Sequence, residues 1–308
     1  MSNFILKHIL HSISIIVGVI SLSFVLIYLV PGDPVKLVLG QRADIKTVET
    51  VRKEMGLDKP IYSRYFDYIF KTIKGDLGVS YITNRNVLHT ILEKFPATAL
   101  LSFFAISISA LFGITIGLFA ALKVHSKFDS GSIIFALIGI SIPQFVLGLL
   151  IAFFFGSMLN WFPVTGYISD GWQYMVLPVV TLSLRPMAII ARITRSSVIE
   201  VMSFDFVRTA KAKGLSKMKI IFKHILRNSL NPVITTLSAS LAATLGGVFF
   251  IEYIFNWPGI GLLAIDSIIK LDFPMVQGTV LFSAVIFVFI NFVVDIIYSV
   301  LDPKIKLT

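Results

Sequence analysis

With 308 residues, 56% hydrophobic and only 14% charged, and a mean hydropathy of +0.87, the chain has the composition of an integral membrane protein and not of a soluble globule. A formal net charge of +10 would suit a nucleic-acid binder, but the Lys and Arg residues are segregated between apolar runs, the pattern of membrane orientation, so nucleic acid is excluded as a partner. The absence of cysteine excludes disulfides, thiolate metal sites and Cys nucleophiles.

In chain order, Ile9–Val30 is an apolar run long enough to cross a bilayer. No small-x-small cleavage site follows it, and Pro31-Gly32-Asp33-Pro34 stops a helix, so an uncleaved first span is expected over residues 1–30. Residues 31–97 carry aromatics, charges and turn signals with no spanning run, which reads as a long extracytoplasmic loop or small domain. Within it Arg64–Lys74 has helical spacing, with Tyr65, Tyr68, Ile69, Thr72 and Ile73 on one side, ended by Gly75-Asp76-Leu77-Gly78. Further spans are expected at Thr98–Leu122, Ser132–Gly156, Val233–Phe255 and Gly278–Leu301. Met175–Ala191 is a shorter one, broken by Pro178 and Pro186 and holding Arg185. The fold class is therefore all-α and polytopic. Six transmembrane helices are expected, with residues 98–308 forming a five-helix membrane core. Gly113 and Gly117 form a GxxxG pair, a mark of close helix packing.

Between the fourth and fifth spans lies the most informative polar stretch, within a cytoplasmic segment 192–231. From Phe204 to Asn231 it carries Arg208, Lys211, Lys213, Lys217, Lys219, Lys223 and Arg227 above a recurrent apolar set that includes Val207, Ala210, Leu215, Met218, Ile221, Phe222 and Ile225. This spacing predicts a short helix, a turn at Gly214, and a second helix. A basic amphipathic stretch of this kind either lies on a membrane surface or docks on a partner. Lys123 and Lys127, Arg192 and Arg195, and Lys304 and Lys306 put the basic loops and both termini in the cytoplasm. The loop after the first span is long enough to escape that rule.

No P-loop, HExxH or Cys/His cluster is present, and no nucleophile–base arrangement, so catalysis is not expected. Three ionisable residues fall within or beside spans: Arg185, Glu252 and Asp295. A charge at membrane depth faces a bundle interior or cavity. Arg185 is read either as a polar point on a translocation path or as half of a structural pair, and it is expected to face the inside of the assembly. For Glu252 and Asp295 packing or local hydrogen bonding is the simpler reading.

Several motifs together resemble one family. Asp205 through Gly214 is similar to the D-[YF]-V-R-T-A-x-A-K-G pattern of the coupling loop in the peptide/nickel branch of ABC importer permeases. Arg208-Thr209-Ala210 stands where the general coupling motif has Glu-Ala-Ala. Pro31–Pro34, Gly56-Leu57-Asp58, Gly75–Gly78, Leu226-Arg227-Asn228, Glu252 through Gly261 with its Trp257-Pro258-Gly259, Asp272-Phe273-Pro274 and Leu301-Asp302-Pro303 resemble further blocks of that branch, in order along the chain. The chain is thus similar to the B-type permease subunit of dipeptide, oligopeptide or nickel importers.

The resemblance implies a permease core over 98–308, a bacterial or archaeal plasma membrane, and an ATPase-coupling segment within residues 205–227. Its coupling residues would be Asp205, Val207, Arg208, Thr209, Ala210, Lys211, Ala212, Lys213 and Gly214, with Ala210 and Gly214 at closest approach to the ATPase. It implies as partners a second related permease, two ATP-binding-cassette subunits and an extracytoplasmic substrate-binding protein, besides the lipid bilayer. It implies no cofactor held by this chain, ATP being bound and hydrolysed by the partners. Peptide is the first choice of substrate and nickel or a metal chelate the alternative. A secondary transporter would need an inverted repeat or paired broken helices, and a membrane enzyme a polar constellation within the spans. The sequence shows no clear instance of either.

Overall fold

The computed structural model describes the backbone of residues 2–29, 35, 44, 49–50, 52–53, 58–245 and 248–301, and the side chains of these from residue 10 to 25 and up to residue 294. Pro31–Pro34, Gly56, Leu57 and Asp302-Pro303 lie outside the described residues. Among those described the structure is helical throughout, with a single isolated β-bridge between Val79 and Asn86. The chain divides into two compact units, residues 1–98 with 258–308, and residues 99–257.

In the first unit α1 (Ser2–Leu29) packs on α11 (Phe273–Leu301) and on the amphipathic α2 (Ile61–Ile73). The α1–α2 contact is aromatic. Phe24 meets Tyr65 edge-on at 5.3 Å and stacks on Tyr68 at 6.0 Å, while Tyr65 and Ser21 share a 2.6 Å hydroxyl contact. Tyr65, Tyr68, Ile69 and Thr72 are partly buried, as the spacing predicts, but Ile73 is exposed. Gly75, at φ +80, supplies the left-handed residue that ends α2.

The next helix, α3 (Val87–Leu122), begins well before the expected Thr98. Asn86 caps it by accepting from the His89 amide at 3.0 Å, and the helix runs through Pro96. Residues 87–97 are therefore helical and not loop. Val87, Ile91, Ile260 and Met275 form a core where α3, α10 (Ile260–Ile269) and α11 meet. A Cβ on Gly278 would overlap Val87, so only glycine allows this approach. Asp272 ties the preceding loop down. It accepts from Ser80 Oγ at 2.5 Å and from the Tyr81 amide at 3.1 Å. Burial pushes the Tyr81 phenol above its ordinary pKa, and the Asp272 carboxylate adds to that against the pull of Arg64.

The second unit is built around α6 (Val176–Met202), which packs on α4 (Lys127–Ser141), α5 (Gln144–Ile151) and α8 (Arg227–Leu245). The GxxxG pair on α3 presses on the same helix: Gly113 faces Ile190 and the Met187 carbonyl, and Gly117 faces the Ala191 carbonyl and Thr194. Ser109 donates across to the Ser183 carbonyl at 2.8 Å.

Three expected spans are corrected here. Ser132–Gly156 is not one helix. α4 stops at Ser141, Ile142 is extended before Pro143, and α5 with its π continuation Ala152–Met158 leaves at 103°. The residue before a proline is pushed out of the helical region, which explains the break. Met175–Ala191 is neither short nor broken. α6 continues to Met202, so Arg192 and Arg195 are helical and not in a loop. Val233–Phe255 is divided between α8 and α9 (Phe249–Ile254), while Gly246 and Gly247 are outside the described residues. Among the described residues three helices are long and apolar enough to cross a membrane, Val87–Leu122, Trp172–Met202 and Phe273–Val294. The bent pair Lys127–Ser141 and Gln144–Met158 makes a fourth if taken as one span.

Candidate functional site

Two features of the second unit can do work. The first is the basic segment. After Ser203 the chain turns into α7 (Asp205–Ala212), reaches Gly214, re-enters helix at Lys217–Lys219, widens into π geometry over Ile220–Leu226, and continues as α8. Gly214 has φ +70, a left-handed conformation that a side chain disfavours, and the space around its Cα is open. Ser216 restarts the helix by accepting from the Lys219 amide.

The amphipathic pattern of α7 sorts its residues onto two faces. Val207 and Ala210 are buried, at 1% and 5% exposure, against Leu118, Ala121, Val198 and Val201 from the ends of α3 and α6 and against Ile220 and Ile225. Ala210, expected at closest approach to a partner, packs here against its own unit, where its side chain anchors α7. Asp205, Arg208, Thr209, Lys211, Ala212, Lys213 and Gly214 are exposed. Asp205 and Arg208 form a loose surface pair at 3.6 Å, and Thr209 Oγ1 donates to the Asp205 carbonyl at 3.0 Å. Phe204 and Phe206, edge to face at 6.0 Å, and Met218 and Phe222 add exposed apolar area beside these cations. The outer face combines cations, large apolar side chains and small backbone-exposing residues. Cations beside exposed large apolar side chains fit a surface covered by a partner or by lipid headgroups.

The second feature is an open cavity of about 650 Å³ between α5, α6, α8 and α9. Arg185, near the middle of the Trp172–Met202 run, is exposed and lines it. Among the described residues Arg185 makes no hydrogen bond or ion pair, and it is the one charged side chain on the cavity wall. Gln144, Thr235, Thr236, Ser240 and Thr244 give the wall its polar character, while Phe145 and Phe250, 5.9 Å apart, contribute aromatic surface. Pro186 lacks the N–H that would bond the Leu182 carbonyl, and Gln144 Nε2 donates to that carbonyl instead at 3.3 Å.

The other two expected membrane ionisables are elsewhere. Glu252 is fully buried on α9 and is not among the described lining residues. Its carbonyl accepts from the Trp257 amide at 2.7 Å, and Trp257 is itself buried against Tyr167. Asp295 is on α11, with its side chain outside the described residues.

Sequence reasoning missed the strongest polar contact of the unit. Arg195 on α6 forms a two-pronged ion pair with Asp129 in the first turn of α4. Asp129 is 3% exposed and also accepts from the His125 amide at 2.9 Å, while Ser126 caps the helix by accepting from the Asp129 amide. Ser126-x-x-Asp129 is legible as a helix start, but nothing in the sequence pairs Asp129 with Arg195, 66 residues away. The hydroxyls of α8 recur at helical spacing in the sequence.

Comparison with known proteins gives consistent results. The family profile "Binding-protein-dependent transport system inner membrane component" matches residues 113–307, and the N-terminal profile of the same membrane component matches residues 1–102. The glutathione transport system permease protein GsiC of Escherichia coli O6:H1 is 38% identical over 306 residues, covering 99% of each chain. That of Salmonella choleraesuis is also 38% identical over the same length. A chain of the inward-facing MetNI methionine ABC transporter superposes with a TM-score of 0.54 at 14% identity, covering 70% of this chain and 97% of the other, a likeness of fold.

Proposed function

The chain belongs to the family of binding-protein-dependent transport system inner membrane components, and we propose that it forms half of the translocation path of an ATP-driven peptide importer. It is a permease subunit and not itself catalytic. Permeases of this family work with a second permease, ATPase subunits and a substrate-binding protein. ATP closure of the ATPase pair would move the docked α7 segments and rock the spans between two accesses.

The observation that carries this reading is the split face of α7. Val207 and Ala210 hold the helix to its own unit, which leaves Arg208, Lys211, Ala212, Lys213 and the left-handed Gly214 outward. These exposed residues are the ones we assign to the ATPase contact. Asp205 and Thr209 brace the helix start. Because the chain has no cysteine, Lys211→Cys gives a unique handle. Crosslinking from that position should capture the co-expressed ATPase in membranes. Gly214→Leu, which forces a side chain into the left-handed region at about 1–2 kcal/mol, should leave insertion intact while lowering both uptake and ATPase stimulation by the loaded binding protein. If the crosslinks reach only lipid and stimulation survives Gly214→Leu, α7 is a membrane-surface helix and the coupling assignment fails.

We place both termini and α7 in the cytoplasm and the Ser80–Asn86 loop outside. A cysteine-directed label at Asn84→Cys should react in intact cells, and one at Lys217→Cys only after permeabilisation. The reverse result would sink this orientation. Peptide is preferred over nickel chelate because the glutathione named for the relatives is a tripeptide. Uptake of a labelled tripeptide and of a nickel–histidine complex by the reconstituted assembly, each with and without ATP, decides between them.

A further inference from the structure

We propose that Arg185 forms an anion-selective subsite on the path, which holds the carboxylate of a peptide-class substrate during passage, while the hydroxyls of α8 accept from the N–H groups of that substrate. The proposal rests on the importer reading above and assigns the chemistry of one place within it. A guanidinium at the middle of a membrane helix is costly when it faces lipid, so it faces a polar medium or an anionic group. Its own chain supplies no counter-charge: among the described residues no carboxylate lines the cavity and Arg185 has no partner. Arg195, on the same helix, shows what this chain does when it needs a structural pair, since it is matched with Asp129.

The remaining lining completes the chemistry. Thr235 donates to the Asn231 carbonyl at 3.2 Å, Thr236 to the Pro232 carbonyl at 2.9 Å and Thr244 to the Leu241 carbonyl at 3.0 Å. With their hydrogens so used, these hydroxyls offer only lone pairs to a ligand. Gln144 has an amide hydrogen engaged with the Leu182 carbonyl. The cavity therefore presents one fork-shaped cation, three threonine hydroxyls placed as acceptors, and Gln144 and Ser240, which can still donate. It matches a molecule with a carboxylate at one end and N–H groups along its length. Guanidinium and carboxylate pair through two parallel hydrogen bonds, which orients the substrate as well as retaining it. At about 650 Å³ the space accommodates several residues of peptide in extended or bent form.

The competing occupant of this charge is a carboxylate of the second permease, and the cysteine-free chain separates the two. Ile189→Cys, one helical turn from Arg185 on the cavity wall, is introduced into the full assembled complex. Its reaction rates with a sulfonate-bearing and a trimethylammonium-bearing methanethiosulfonate are then compared. With Arg185 present the anionic reagent should be favoured. Arg185→Gln should reduce the anion-to-cation rate ratio by about five-fold, the effect of one unit charge at that distance under water-like screening, and Arg185→Lys should retain it. Trialanine should protect the cysteine, and trialanine amide, which lacks the carboxylate, should protect it less. A ratio unmoved by Arg185→Gln means that the charge is already neutralised by a protein partner and overturns the proposal. Equal protection by acid and amide overturns it as well. ATP-dependent uptake by the unmodified complex is measured alongside. If uptake is absent while the rate ratio responds, the importer reading has failed and not the charge assignment.

Discussion

Two arginines on α6 carry the same charge and meet opposite fates. Arg195 is 23% exposed and locked onto a buried Asp129, so that it fastens α4 to α6. Arg185 faces an open cavity and is left without a partner among the described residues. The difference is set by what lies opposite each one. The first turn of α4 brings a carboxylate to Arg195, whereas α5, α8 and α9 bring amide, hydroxyl and aromatic groups to Arg185. A charge in a membrane protein is thus structural or available according to whether its neighbours complete it, and residue type alone says nothing about which.

The contrast is broken most forcefully by Asp129→Ala. Removing one member of a buried pair leaves the other charge uncompensated, at a cost of about 3–5 kcal/mol. Because Arg195 retains some exposure, the loss should fall at the lower end. It should appear as a large drop in melting temperature and in monodisperse yield from detergent. A parent-like melt would remove the structural role of the pair. Next in size is Gly117→Val. Its side chain would run into the Ala191 carbonyl and Thr194, on the stretch of α6 between the two arginines. Overpacking of this kind costs about 1–3 kcal/mol, read as a smaller melting shift. The smallest effect on stability is expected for Arg185→Ala, within about 0.5 kcal/mol, as for an exposed group with no partner. Uptake by the reconstituted complex should nevertheless fall. A melting shift as large as that of Asp129→Ala would show that Arg185 is completed by a protein group after all.

Composition and apolar runs determined the all-helical membrane character of this chain, because bilayer length and backbone hydrogen bonding leave few other solutions. Local chemistry determined more. The left-handed Gly214, the α7 helix before it and the close packing of Gly113 and Gly117 each follow from residue type and spacing within a few positions. Helix ends were less legible: Asn86 starts α3 early, Pro143 bends a span that reads as continuous, and Pro186 stops nothing because Gln144 satisfies the carbonyl it orphans. The tertiary structure alone decided that Ala210 points inward, that Arg195 finds Asp129 while Arg185 finds a cavity, and that the α8 hydroxyls line that cavity beside Arg185. Periodicity fixes which residues share a face of a helix. What that face meets depends on helices distant in sequence, and the charge and size of those neighbours decide whether a side chain anchors, pairs or stays free to bind.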